Sequence, residues 1–272
     1  MLDGKIIGFI GAGNMGSVLI RGLIQSGKAG GAEIIACDMN EDRLRAIVET
    51  HGVKAVNSSV ELAEKADIVV ICVKPQHVDA LMDEISAASR AGQIFISIVA
   101  GAAIEKFSSR LNSAAGVVRV MPNTPASVLA GAAAICAGQN VSAADQSLAA
   151  AIFECSGKTV VIQNEALMDA VTGLSGSGPA YIFLAIEALA DAGVQLGIAR
   201  EEAALLAAQT VYGAAKMLLE TGKTPGELRD IVTTPGGTTA AGLRALDKGN
   251  FRAAIIDAVK AAAERARELG NR

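Results

Sequence analysis

Short runs of β-branched and other apolar residues alternate with segments of helical periodicity from the start of the chain to Ile162. Runs without a polar residue, such as Ile68–Ile71, are typical of strands that are buried on both faces. Met15–Gln25 and Glu41–Glu49 have the spacing of helices instead. This alternation predicts βαβ units and an α/β fold, an open parallel sheet with helices on each side. The predicted strands are Lys5–Ile10, Glu33–Cys37, Asp67–Val73, Ile94–Val99, Gly116–Met121, Ala132–Ala137 and Thr159–Ile162.

Strand signals stop after Gln163, and the remainder of the chain has helical spacing. Pro179–Ala192 begins with a proline at a first-turn position, where the missing N–H costs nothing. Thr224–Glu227 has the pattern of a capping box, and Glu201–Glu220 and Phe251–Leu269 are further predicted helices. We therefore predict an α/β domain over residues 1–163 and an all-helical domain over residues 164–272.

The alanine-rich helices of the second domain are apolar around most of their circumference. Ala180–Ala190 and Ala203–Ala215 are the clearest examples. A helix that is apolar on all sides is normally buried, and the helical part of the chain is too small to cover all of these faces by itself. We expect a homo-oligomer in which the helices pack against another subunit. A compact monomeric bundle is the alternative.

The charge of the chain argues against nucleic acid as a partner. Its 28 acidic and 24 basic residues leave a net charge of −4, so no broad basic surface is expected. The longest uncharged stretch, Val120–Ala144, contains two prolines and three amide side chains. A membrane-spanning helix needs about 20 mainly apolar residues without such interruptions. The residues Met1–Gly4 also do not resemble a secretory signal. We expect neither nucleic acid nor a membrane as a partner.

The four cysteines lie far apart, without a C-x-x-C pair and without histidine at ligand spacing. This pattern favours free thiols in a reducing compartment, so we predict no metal site and a cytoplasmic location. The cysteines are Cys37, Cys72, Cys136 and Cys155.

A glycine-rich loop follows the first predicted strand and opens a helix. Its sequence, Gly11–Gly16, reads G-A-G-N-M-G, the pattern of dinucleotide-binding loops in this strand–turn–helix context. Gly11 permits the tight turn, Gly13 lets a pyrophosphate approach the backbone, and Gly16 lets helix and strand pack closely. The amino end of the helix then offers N–H groups to the phosphates. A purely structural turn is the alternative. The predicted cofactor-binding residues of the loop are Gly11, Ala12, Gly13, Asn14, Met15 and Gly16.

Asp38 ends the second predicted strand, where an acidic residue typically binds the ribose 2′-hydroxyl of NAD. Its carboxylate would repel the 2′-phosphate of NADP, and Met39 and Asn40 supply no base to offset this. Arg43 is close enough in sequence to reach such a phosphate. We predict a preference for NADH. In the alternative, Asp38 only caps the helix that begins near Glu41, which is compatible with either cofactor.

Five segments of the chain, in this order, resemble pyrroline-5-carboxylate reductases. They are Gly11–Gly16, Val73–Gln76, Met121–Pro125, Asp169–Tyr181 and Thr234–Thr239. The resemblance covers essentially the whole chain, and the last two segments are its most specific part. It implies reduction of 1-pyrroline-5-carboxylate to L-proline with NAD(P)H. It also implies a Rossmann-type domain followed by a helical dimerisation domain, often assembled into rings of dimers.

The resemblance implies further cofactor contacts, most of them at or after the ends of predicted strands. Ligands bind at that edge of an open α/β sheet. Lys74 is also compatible with a solvated surface base. The prolines of Met121–Pro125 would stiffen a loop that faces the nicotinamide. The implied contacts are Asn57, Val73, Lys74, Pro75, Ala100 and Gly101.

The resemblance also implies the substrate-binding residues. Gly236–Thr239, just before a predicted helix, offers backbone N–H groups and hydroxyls to a carboxylate. Ser175–Gly178 makes a second turn of the same chemistry before Pro179. Turns that merely cap helices are the alternative. The full set is Glu165, Thr172, Ser175, Gly176, Ser177, Gly178, Thr234, Gly237, Thr238 and Thr239.

Thr172 is our candidate catalytic residue. A cyclic imine is far more basic than a ketone, so protonation of the substrate itself supplies much of its activation. We expect the Thr172 hydroxyl to hydrogen-bond the imine nitrogen or to relay a proton. The two histidines, His51 and His77, both lie in the first domain and are expected at the surface.

Two other functions are compatible with a dinucleotide loop. A β-hydroxyacid dehydrogenase would need a lysine base on the helix that follows the G-S-G segment. Ile182 and Ile186 occupy the comparable turns, and no lysine occurs between Lys158 and Lys216. A non-enzymatic NAD(P)-binding regulatory protein would not need two hydroxyl-rich turns in the helical domain.

Overall fold

The computed structural model of the protein describes residue 2, residues 4–27 and residues 34–270. In this part of the chain, all seven predicted strands are found, and most are slightly shorter than expected. The predicted start of the second strand, Glu33, lies outside the described residues. The strands are β1 Ile7–Ile10, β2 Ile34–Cys37, β3 Lys54–Ala55, β4 Ile68–Ile71, β5 Ile94–Ser97, β6 Gly116–Met121, β7 Gly131–Ala137 and β8 Gly157–Val161.

The eight strands of the described residues form one sheet in the order β3-β2-β1-β4-β5-β6-β7-β8. Neighbouring strands are parallel except β6 and β7, which are antiparallel. The connection between these two strands contains only the short 3₁₀ turn Thr124–Val128. A parallel return needs a crossover of roughly a dozen residues or more, so this link permits only a reversal. The predicted open α/β sheet is confirmed, with one antiparallel pair of neighbours at this position.

β3 is the strand that the sequence did not predict. It has two residues, Lys54 and Ala55, and both are exposed. A run this short has no apolar pattern to detect. It pairs with β2 and extends the sheet at one edge.

Both faces of the sheet are buried under helices. Phe9 packs with Leu19 and Phe153 on one face. Ile10, the next residue of β1, packs with Leu62 on the opposite face, because successive side chains of a strand point to opposite sides. The covering helices are α1 Asn14–Gln25, α2 Glu41–His51, α3 Ser59–Lys65, α4 Val78–Ile85, α5 Ile104–Ser108 and α6 Ala143–Phe153.

The compact units of the structure divide between Gly176 and Ser177, beyond the predicted boundary after Gln163. The segment between these positions contains α7, Met168–Val171, and a π-helical turn, Thr172–Gly176. It belongs to the sheet unit, where its Glu165 and Asp169 both pair with Arg119 of β6. The end of the last helix, from residue 261 onward, also belongs to that unit.

The second unit, residues 177–260, is helical as predicted. Thr224 and Glu227 form the expected capping box. The Glu227 carboxylate accepts the backbone N–H of Thr224, which lowers the pKa of this carboxyl group. The helices that begin in this unit are α8 Gly178–Gln195, α9 Arg200–Thr221, α10 Pro225–Ile231, α11 Thr238–Lys248 and α12 Phe251–Gly270.

Large apolar side chains of the second unit are exposed within a single chain. Leu196 is 86% exposed, Leu219 75% and Leu205 68%. The buried apolar side chains of the unit are only alanines where α8 meets α9, such as Ala190 and Ala203. An exposed apolar surface of this extent is typical of a protein interface.

No helix in residues 4–27 or 34–270 is both long enough and apolar enough to cross a membrane.

Candidate active site

Most of the predicted cofactor residues lie where strands of the sheet end. Gly11–Gly16 follows β1, Asp38 follows β2, and Val73–Pro75 comes shortly after β4. The Ala100–Gly101 turn follows β5, and Met121 is the last residue of β6. These five strands are parallel, so their carboxyl ends share one edge of the sheet. The structure thus brings these segments to one edge, as the sequence predicted.

Gly11 and Gly16 are required by the backbone itself. Gly11 has a φ of 99°, and a Cβ at this position would lie 2.7 Å from the carbonyl oxygen of Cys72. A Cβ at Gly16 would overlap the carbonyl oxygen of Gly11. The loop is also tied to β2, because the Gly11 N–H donates to the Cys37 carbonyl over 2.9 Å. A side chain at either glycine would displace the loop.

Gly13 is different, because the fold does not require glycine there. Its φ of −70° suits any residue, and no protein atom lies within 4 Å of the position that a Cβ would take. Gly13 caps α1 without a side-chain hydrogen bond, and the first turn of the helix has no acidic residue. The open space and the N–H groups of the helix start fit a pyrophosphate.

The half-buried Asp38 carboxylate is fixed beside this loop. Its Oδ2 accepts the N–H of Ala12 and its Oδ1 accepts the N–H of Asn40, each over 2.7 Å. The cap of α2 is Asn40, whose Oδ1 accepts the N–H of Arg43 over 3.0 Å. The alternative in which Asp38 only caps α2 is therefore wrong. Its binding of a ribose stays a prediction.

The other predicted cofactor residues are exposed or half-buried at the same edge. Lys74 is exposed and forms no ion pair with another residue that the structure describes. Gly101 has a φ of 75°, and the backbone of Gly270 lies 3.2 Å from its Cβ position. Asn57 is exposed, and its N–H donates to Glu61 over 2.9 Å. Their role in binding a cofactor stays a prediction.

Thr172 begins the π-helical turn. Such turns are rare in proteins, and those that occur are often found at functional sites. Its hydroxyl donates to the carbonyl oxygen of Met168 over 2.9 Å. The Ser175 hydroxyl donates to the carbonyl oxygen of Val171 over 3.2 Å in the same way. The Thr172 hydrogen is thus engaged within the chain, which leaves the lone pairs of Oγ1 as its means of contacting a ligand.

The loop after β6 holds the far end of this turn. The Asn123 Nδ2 donates to the carbonyl oxygen of Ser175 over 3.1 Å, and its Oδ1 accepts the N–H of Ala132 over 2.8 Å. The Met121 methyl carbon lies 2.7 Å from the position that a Cβ of Gly176 would take. A side chain at Gly176 would require the methyl end of Met121 to move.

Arg119, on β6, holds the segment that precedes the π turn. This residue was not predicted from the sequence. It donates to Glu165 Oε1 over 3.1 Å and to Asp169 Oδ1 over 3.3 Å. The same oxygen of Glu165 accepts the N–H of Ile104, at the start of α5, over 2.7 Å. Burial raises the pKa of the nearby Cys136 thiol, and the Glu165 charge raises it further. The one available signal was a base inside the apolar run G-V-V-R-V-M, since buried arginines are nearly always paired.

The turn at Gly236 and Gly237, in the second unit, leaves N–H groups at the start of α11 without a side-chain cap. Gly236 has a φ of 71°. Gly237 caps α11 through its backbone, without a side-chain hydrogen bond, and its N–H donates to the Thr234 carbonyl over 3.0 Å. The first turn of α11 has no acidic residue. Ser177, at the start of α8, likewise makes no side-chain cap. These turns offer backbone N–H groups and hydroxyls that can donate hydrogen bonds to a carboxylate. Their contact with the substrate stays a prediction.

Two family models match the chain. Residues 165–269 match a model described as pyrroline-5-carboxylate reductase dimerisation. Residues 6–101 match a model described as NADP oxidoreductase, coenzyme F420-dependent. The first match extends from the segment before α7 into α12, and the second covers β1 to β5.

Curated relatives are similar over the whole chain. A pyrroline-5-carboxylate reductase of Methanosarcina acetivorans is 43% identical over 271 residues, with all of both chains covered. One of Arabidopsis thaliana is 44% identical over 97% of this chain and 95% of its own.

Solved structures agree with this similarity. A pyrroline-5-carboxylate reductase of Coxiella burnetii superposes with a TM-score of 0.94 at 39% identity, covering 98% of this chain and 99% of its own. A pyrroline carboxylate reductase of Plasmodium falciparum with NADP bound has a TM-score of 0.87 at 33% identity, with 98% and 99% covered.

Gly13→Ala tests the proposed cofactor cradle without disturbing the fold. The added methyl group meets no protein atom, so the urea midpoint should be unchanged. The methyl group would occupy the space open to a pyrophosphate, and overpacking of this kind weakens binding roughly 10-fold or more. The measurement is a fluorescence titration of NADH, which needs no turnover.

Gly16→Ala and Gly226→Ala complete this comparison. Gly16→Ala should lower both stability and NADH binding, because its Cβ overlaps the loop. Gly226→Ala, on α10, meets only one atom at 3.9 Å and should leave NADH binding unchanged. An unchanged dissociation constant for NADH in Gly13→Ala would show that the cofactor does not lie over this glycine.

Proposed function

The chain belongs to the pyrroline-5-carboxylate reductase family, and we propose how its own residues carry out the reduction of 1-pyrroline-5-carboxylate to L-proline. It is an NAD(P)H-dependent oxidoreductase that acts on the C=N bond of a cyclic imine. The observation that carries this proposal is the open space beside Gly13 at the carboxyl edge of the sheet. The same unit contains the π turn with Thr172, which is held at both ends by hydrogen bonds.

We propose that the cofactor lies along the carboxyl edge of the sheet. The Gly11–Gly16 loop would hold the pyrophosphate, with Asn57, Val73–Pro75 and Ala100–Gly101 as further contacts. When bound, the reduced nicotinamide supplies the hydride. The chain's part is then to hold the ring of the substrate against it in a reactive geometry.

Asp38 supports a preference for NADH within this site. Its carboxylate is held against the loop by Ala12 and Asn40, so it cannot easily swing away from a 2′-phosphate. Met39 and Asn40, which follow Asp38, supply no positive charge, and Arg43 is exposed on α2. A fixed carboxylate without a compensating positive charge repels a 2′-phosphate, whereas it accepts a hydrogen bond from a 2′-hydroxyl.

Thr172 contacts the substrate nitrogen in our proposal. The nitrogen of a protonated imine has an N–H that needs an acceptor. Because the Thr172 hydroxyl already donates to Met168, its oxygen is oriented to accept. The hydrogen bond favours the protonated imine, the form that takes up a hydride at its imine carbon. This carbon becomes C5 of proline, and the N–H remains on the proline nitrogen after transfer.

The substrate carboxylate has two groups of proposed ligands. Backbone N–H groups and hydroxyls of Thr234, Gly237, Thr238 and Thr239 surround the open start of α11. Ser175, Gly176, Ser177 and Gly178 form the turn before α8. Glu165 is the remaining proposed substrate residue, and its Oε1 is already bound to Arg119 and Ile104.

We propose that the chain works as a dimer through its C-terminal helices, assembled further into a ring of dimers. The match of residues 165–269 to a dimerisation domain supports the first step. The exposed leucines of α8 and α9 support it independently, because a single chain leaves them without cover.

We also propose a cytoplasmic location. The structure describes all four cysteines, and they are free thiols. Free thiols persist in reducing compartments.

The proposed reaction is tested by following absorbance of the reduced nicotinamide. With 1-pyrroline-5-carboxylate, the protein should oxidise NADH with a higher kcat/KM than NADPH. In reverse, a panel of β-hydroxyacids should give no turnover, because Ile182 and Ile186 stand where that chemistry needs a lysine. Turnover of a hydroxyacid in place of the imine would contradict the proposal.

The cofactor preference is tested in the same assay. Asp38→Asn should shift the NADH-to-NADPH ratio of kcat/KM roughly 10-fold toward NADPH, the size of one lost charge interaction. Asp42→Asn, an exposed acid on α2 that pairs with Arg45, is the matched control and should leave the ratio unchanged. A wild-type efficiency about 10-fold higher with NADPH than with NADH would contradict the preference itself.

Thr172→Ala tests the contact with the substrate nitrogen. It should lower kcat by roughly 10-fold or more, the loss expected for one hydrogen bond to a charged group, while Thr172→Ser restores most of the rate. Ser147→Ala removes the same type of hydroxyl-to-carbonyl bond from the exposed face of α6 and should not change kcat. An unchanged kcat in Thr172→Ala would remove this residue from the reaction.

The assembly is tested by sedimentation at micromolar concentration. Wild-type protein should sediment as a dimer or a multiple of dimers. Leu205→Glu, which places a charge in the exposed apolar surface of α9, should shift the protein toward monomers. Asp42→Glu, at the surface of the sheet unit, is the control. A wild-type monomer would contradict the proposal.

A further inference from the structure

Arg119 is a buried cation close to the proposed chemistry but outside the predicted site. Its side chain is 9% exposed, and it pairs with two carboxylates that are 31% and 20% exposed, Glu165 and Asp169. A buried charge is costly unless its partners are held in good geometry. The ion pairs therefore hold Glu165 and Asp169 in position, and they also neutralise the charge of the arginine.

Both partners belong to the segment that leads directly to Thr172. Glu165 opens the 3₁₀ turn Glu165–Leu167, and Asp169 lies on α7, three residues before Thr172. With four residues, α7 is far too short to be stable alone. The position of the π turn must therefore come from its contacts with the sheet.

Few contacts supply that position. Met168 is fully buried against the sheet, and Asn123 binds the carbonyl of Ser175 at the end of the turn. At its start, Arg119 binds both Glu165 and Asp169, and the N–H of Ile104 donates to Glu165 as well. The guanidinium of Arg119 connects β6 to the carboxylates of Glu165 and Asp169, so it holds the start of α7 at a defined position against β6.

We propose that Arg119 is a positioning residue, which acts through Asp169 and Glu165 to hold Thr172 Oγ1 where it accepts the substrate N–H. This inference rests on the proposed function of Thr172. Arg119 itself need not touch the substrate or the cofactor. Its loss should slow the reaction through Thr172 and leave binding of the dinucleotide unchanged.

The shape of arginine makes this role testable. The planar guanidinium presents several donors in a rigid fork, whereas a lysine ammonium is a flexible point charge. Arg119→Lys keeps the positive charge in the buried network but cannot hold both carboxylates in the same way. Asp169→Asn keeps the size of the side chain and removes one of the two ion pairs.

Each variant should lower kcat roughly 10-fold, because small displacements of a reacting group have effects of this size. The dissociation constant for NADH, measured by fluorescence, should not change, and the urea midpoint checks that the protein is folded. Arg110→Lys is the matched control, because Arg110 also bridges two carboxylates, Asp79 and Asp83, at the surface. It should leave kcat unchanged.

A double-mutant cycle with Thr172→Ala separates positioning from a merely structural role. If Arg119 acts through Thr172, then Arg119→Lys and Asp169→Asn should each lower kcat by less than about 2-fold once the hydroxyl is absent. Full, additive losses in that background would overturn the positioning role and leave the function of Thr172 intact. A normal kcat in Thr172→Ala alone would overturn both proposals.

Discussion

The glycine loop depends on two places where backbone segments come too close for a side chain to fit. Gly11 lies against the carbonyl of Cys72 at the end of β4, and Gly16 lies against the carbonyl of Gly11. These approaches bring the start of α1 down to the sheet edge and leave the space above Gly13 open. They also place Ala12 where Asp38 accepts its N–H. The cradle and the carboxylate beside it are thus consequences of the same close packing.

The sequence predicted the features that local patterns encode. Apolar runs such as Ile68–Ile71 gave the buried strands, and the spacing of Thr224 and Glu227 gave a capping box that the structure confirms. The G-x-G-x-x-G pattern placed its loop at the carboxyl edge of the sheet. The family also follows from the sequence, because its motifs are short, ordered and distributed over the whole chain.

The remaining features depend on contacts between distant residues. Glu165 supplies the acceptor for the first N–H of α5 from 61 positions away, and Arg119 reaches the same carboxylate from β6. No local pattern describes such a pairing. The π turn at Thr172 and the compact-unit boundary after Gly176 have the same origin, because tertiary anchors hold a segment that could not fold alone. The reversal between β6 and β7 has a local cause instead, because the connection over residues 122–130 is too short for a parallel crossover.

The central claim is that a hydride passes from the nicotinamide to the C=N carbon of a cyclic imine, the carbon that becomes C5 of proline, while Thr172 binds the imine N–H. The most direct measurement uses NADH that carries deuterium at both C4 positions, with 1-pyrroline-5-carboxylate as substrate and mass spectrometry of the product. The account predicts L-proline with one deuterium atom, bound at C5. Proline without deuterium, or no proline while NADH is consumed, would contradict it.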